Sequence, residues 1–82
     1  MVNMVERLDY HFNDEYEREM VVNCLNKYHS WNPNIFNDLK NEPVKYERQR
    51  MIKEIERDLK KDVVPKGVIK ISIKYLKYRY NS

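Results

Sequence analysis

Lys66, Lys70, Lys74, Lys77 and Arg79 crowd the last twenty positions, a stretch that holds no Asp or Glu. Tyr75, Tyr78 and Tyr80 are interleaved with them. Ammonium and guanidinium groups neutralise phosphates, and phenol rings stack on unpaired bases. Lys66, Lys70, Lys74, Lys77, Arg79, Tyr75 and Tyr78 are therefore the expected contacts for a nucleic acid, DNA or RNA, or for an acidic surface on a host protein. The first twenty residues have the opposite balance, six acids against two bases. This segregation is the most informative functional feature of the chain. The same residues admit other uses. Lysines on the open face of an amphipathic strand keep it solvated and guard its edge against aggregation. The acidic start and the basic end could also pair with one another, within a chain or across a dimer, or the basic strand could add to a partner's sheet.

No other group of residues has the spacing of a catalytic site, and the chain is expected not to be an enzyme. Cys24 and His29 could supply two metal ligands at most, and there is no second Cys for zinc-finger spacing. His29 suits the negative end of a helix, and Cys24 suits a core. Ser30, Ser72 and Ser82 lack the context of an activated nucleophile. One Gly cannot build a phosphate-cradling loop. Asp14, Glu15, Glu17 and Glu19 fit a helix start better than a metal site. No cofactor or metal is expected. Trp31, the one Trp, precedes Asn32-Pro33 and is expected to pack on Phe36 as a hydrophobic staple. Its alternative is an exposed anchor in a protein interface.

The elements that must position these residues read as follows. Residues 2–12 place Met4, Leu8, Tyr10 and Phe12 on one parity, which predicts a strand. Asp14 and Glu17 have capping-box spacing and start a helix ending near His29-Ser30. Asn32-Pro33 starts a second, short helix around Ile35, Phe36 and Leu39. Asn41-Glu42-Pro43 repeats that signal and starts a third helix, from about 43 to 61. Val44, Met51, Ile52, Ile55 and Leu59 form its buried face, interrupted by Arg48, with surface pairs Glu47–Arg50, Glu54–Arg57 and Glu56–Lys60. Val64-Pro65-Lys66-Gly67 predicts a turn. Ile69, Ile71, Ile73 and Tyr75 then alternate with Lys70, Ser72 and Lys74, the clearest strand pattern in the chain. A change of parity at Tyr75-Leu76 predicts a bulge or a strand end.

The expected fold is thus α+β, in the order β-α-α-α-β, with three helices packed on a small sheet that includes a long C-terminal strand. Asp62–Val64 could hairpin onto that strand, which would fit a winged-helix-like arrangement. The 82 residues carry a formal charge of +3 and a pI near 9.0. They suit one domain spanning 1–82. No apolar run is long enough for a membrane span, Glu6 and Asp9 argue against a secretory signal, and a lone Cys favours a reducing, cytoplasmic setting. The absence of Ala and Thr beside nine Asn and ten Lys reads as codon bias of an AT-rich genome, and a short chain of this kind fits a virus, phage or mobile element. Two functions follow. One is a small non-enzymatic regulator that contacts nucleic acid through the basic, Tyr-interleaved strand. The other is a phage- or element-encoded inhibitor that docks on a host factor. Small size and an open strand edge also favour a homodimer.

Overall fold

The computed structural model describes residues 11–81. Four helices run along it: α1 (Glu15–Trp31), α2 (Pro33–Asn41), α3 (Lys45–Lys61) and α4 (Lys66–Asn81). Helix accounts for 83% of the described residues, and no strand occurs among them. The α+β expectation is therefore overturned, together with the small sheet, the C-terminal strand and the winged-helix-like hairpin. The strand expected over 2–12 lies outside the described residues except for His11 and Phe12, which are irregular.

The first two helices form for the reasons legible in their sequence. Asp14 caps α1 by accepting the Glu17 N–H at 2.7 Å. Glu17 reaches back one residue further than a capping box requires, to the backbone and side-chain nitrogens of Asn13, both at 3.2 Å. Asn32 ends α1 and begins α2. Its side chain makes no capping bond to α2 and instead donates to the Tyr28 hydroxyl at 3.3 Å. Pro33 occupies the first turn of α2, where a missing N–H costs nothing.

Pro43 behaves differently. It lies in the α2–α3 connection, and α3 begins at Lys45 with Val44 as its cap residue. Glu42, held extended ahead of Pro43, accepts the Val44 N–H on its side chain at 3.2 Å. Arg48 interrupts the apolar face of α3 to good effect. Its Nη1 donates to the Glu42 carbonyl at 2.8 Å, and its Nε donates to the Tyr80 carbonyl. One guanidinium thereby ties the end of α2 to the last turn of α4, whose carbonyls have no helical partner. The expected pairs Glu47–Arg50 and Glu56–Lys60 form, at 3.3 and 3.7 Å, whereas Glu54–Arg57 does not.

The C-terminal segment shows why period decides. Val68, Ile69, Ser72, Ile73, Tyr75 and Leu76 are all buried, while Lys66, Lys70, Lys74 and Lys77 are all exposed. The buried set follows i, i+1, i+4, i+5, i+7, i+8, and the lysines recur at intervals of 4, 4 and 3. Both are helical spacings. Alternation over Ile69, Ile71, Ile73 and Tyr75 accounts for only part of this apolar set. The parity change at Tyr75-Leu76 is the helix repeat itself, not a bulge. Lys66 and Gly67 belong to the first turn of α4, which Pro65 opens by accepting the Val68 and Ile69 N–H groups at 3.0 and 3.1 Å.

The fourth helix packs against α1 and α3, and α2 bridges those two. The core joins Val21 and Leu25 of α1, Ile35 and Leu39 of α2, Ile52 and Ile55 of α3, and Ile73 and Leu76 of α4. Each such side chain contributes roughly 1.5–3 kcal/mol when fully buried. Ser72 is also fully buried, beside Cys24 of α1. A small residue there lets α4 approach α1 closely.

Candidate functional site

In α4 the four lysines form one stripe. At about 100° per residue they fall within ~80° of the helix circumference and extend along ~16 Å of its axis. All four are exposed, and among the described residues none is ion-paired. The stripe borders a concavity of about 830 Å³ between α3 and α4. Ile69 and Ile73 of α4 and Val64 of the connection form its apolar base. Lys60 of α3 faces the α4 lysines across it. Among the described residues, the only carboxylate lining this surface is Glu56, already paired with Lys60 at 3.7 Å. The result is a trough with five ammonium groups and one carboxylate, a geometry that concentrates positive potential.

The remaining expected contact residues divide. Tyr78 lies beside the lysine stripe and is 43% exposed. Tyr75 is fully buried, with its ring tilted against Phe12 at a centroid distance of 6.0 Å. Its ring supports the core and does not reach solvent. Burial pushes the Tyr75 phenol above its ordinary range, opposed by the hydrogen bond from Arg79. Arg79 Nη1 donates to the Tyr75 hydroxyl at 2.9 Å, and the guanidinium also lies 5.7 Å from the Tyr80 ring centroid. The structure thus brings Lys66, Lys70, Lys74, Lys77 and Tyr78 together and turns Tyr75 and Arg79 to another task. Lys60 is the residue that sequence reasoning passed over. It appeared there only as the partner of Glu56, and nothing in a one-dimensional pattern set it opposite α4.

A second concavity, about 430 Å³, lies between the C-terminal halves of α1 and α3. Tyr28 forms one wall. Its hydroxyl donates to Asp58 Oδ2 at 2.7 Å, and its ring meets Trp31 and Phe36 edge-on at 5.4 and 5.8 Å. Trp31 is 69% exposed and stands on Tyr28, so the expected staple on Phe36 does not form; His29 and Tyr28 cover Phe36 instead. Burial and the bond to Asp58 push the Tyr28 phenol well above its ordinary value. Cys24 lines the same groove, and burial raises its thiol pKa, which disfavours the thiolate. Lys27 and Asp62 close one rim at 3.4 Å. The Val63 N–H and the Lys27 ammonium hold the Asp62 carboxyl below its usual range.

Among the described residues, no three His, Cys, Asp or Glu side chains cluster closely enough to hold a metal ion. No helix among them is long and apolar enough to cross a membrane. No protein-family model matches the chain, and no curated protein or solved structure matches it.

Proposed function

We propose that the protein is a small binding module that contacts nucleic acid through the lysine trough between α3 and α4. The observation that carries this reading is the five-to-one excess of ammonium groups over carboxylates among the described residues of one concave surface, with that one carboxylate internally paired. Uncompensated like charges destabilise a surface unless an anion joins them, and a phosphate chain supplies anions at regular intervals. Lys66, Lys70, Lys74 and Lys77 form one rail and Lys60 the other. Tyr78 at the end of the rail is placed to lie against a sugar or base. Contacts of this type go to the backbone, so affinity varies little with sequence.

The test is a polarisation titration with labelled single-stranded DNA, RNA and duplex at several salt concentrations. Four or five neutralised phosphates give a log–log salt slope of about −3.5 to −4.5 on duplex and about −3 on a single strand. Lys70→Ala and Lys74→Ala each flatten the slope by about 1 and weaken all sequences alike. Binding that is absent at low salt removes the proposal. In that case the same lysines would be tested against an acidic host protein, the docking-inhibitor alternative.

A further inference from the structure

We propose that the groove between α1 and α3 is a self-association surface that receives a second copy of this chain, with Val63 as the inserting side chain. Three observations carry this. Val63 is 96% exposed, so its whole apolar side chain is available for contact. Its chain neighbours Asp62 and Val64 line the groove, so this apolar knob stands on the rim of an apolar depression. Trp31, 69% exposed, stands on the groove lining as well. A patch that carries both a knob and a hole satisfies the requirement of a two-fold contact, in which each copy gives what it receives.

The charges point to the same occupant. The groove is lined by two cations, Lys27 and Lys61, and two carboxylates, Asp58 and Asp62. Lys27 and Asp62 are paired with each other. Asp58 accepts a hydrogen bond from the neutral Tyr28 hydroxyl and, among the described residues, has no cation; Lys61 has no carboxylate among them. In a two-fold arrangement Lys61 of each copy meets the partner's Asp58, so both leftover charges are matched twice over. The lysine trough, by contrast, repels its own copy. Self-association through this groove does not depend on nucleic-acid binding.

The test is sedimentation velocity of the full chain without nucleic acid, from about 1 µM to 1 mM. Wild type is compared with Val63→Asp and with Tyr46→Asp, which places the same charge at another exposed large side chain, 67% exposed, at the start of α3 and away from the groove lining. Wild type is expected to shift toward the dimer with concentration, while Trp31 emission moves to the blue. Val63→Asp weakens association at least about tenfold, because it places a carboxylate in a desolvated contact, and leaves far-UV circular dichroism unchanged. Tyr46→Asp associates like wild type. Three results overturn the proposal: a monomer at every concentration, Val63→Asp within about threefold of wild type, or an equal loss in Tyr46→Asp.

Discussion

At the scale of single residues, polar side chains in this protein hold elements together as much as they solvate it. Arg48 binds two carbonyls from chain segments far apart in sequence. Bonds of this charge-assisted kind contribute about 1.5–3 kcal/mol. Arg48→Met keeps the stem and removes the donors, so urea denaturation is expected to show a loss of about that size. Amide exchange in the last turn of α4 should rise with it. Tyr28 gives a pH signature. Its raised pKa means that native Tyr28 keeps its proton where the unfolded chain has lost it. That contribution is complete below the ordinary phenol value of about 10 and is lost as pH rises through the folded-state value. Tyr28→Phe is expected to cost about 1 kcal/mol at neutral pH. It should also flatten the alkaline fall in stability, leaving the parts due to the buried Tyr75 phenol and the Cys24 thiol, whose pKa values burial also raises. Melts at stepped pH check both. Trp31 shows the limit of reading residues singly. Its position before Asn32-Pro33 implied packing on Phe36, but Tyr28 and His29 already occupy that ring.

At the scale of elements, α1, α2 and most of α3 were legible because caps, Pro positions and apolar spacing agreed with one another. The fourth helix was misread because its β-branched residues favour a strand while its charges and full apolar set follow a helix. Val68 and Leu76 lie off the alternating parity but on the buried helix face. Two positions test the assignment. Gly67 sits in the first turn of α4, and a methyl group added to its Cα would meet open space. Gly67→Ala should stabilise by roughly 0.5–1 kcal/mol in thermal melts, since Ala is the better helix former and restricts the unfolded chain. Ser72 is fully buried, and its hydroxyl finds no oxygen or nitrogen partner among the described residues; the Cys24 thiol beside it is a weak one. Ser72→Ala is therefore expected to be neutral or stabilising. Ser72→Leu overfills the α1–α4 contact and should cost about 1–3 kcal/mol.

At the scale of the whole molecule, two of the concave surfaces framed by the four described helices differ in character. The trough between α3 and α4 is strongly cationic, and the groove between α1 and α3 balances its charges. The first suits a polyanion, the second a like molecule. Charge excess at the C-terminal end was evident from composition alone, because Lys66, Lys70, Lys74, Lys77 and Arg79 face no acid in their own segment. Three of the helices, with the Asp14 cap of the first and the Pro33 start of the second, also follow from local pattern, since capping and first-turn geometry depend on residues a few positions apart. What local pattern could not decide was how the C-terminal segment buries its apolar residues. A two-residue and a 3.6-residue repeat both fit parts of it, and only packing against α1 and α3 selects the helix. That selection moves Tyr75 inward, turns Arg79 onto it, and sets Lys60 opposite the lysine stripe. The charges were written in the chain; their convergence on one surface depends on contacts between residues distant in sequence, which exist only after the helices have packed.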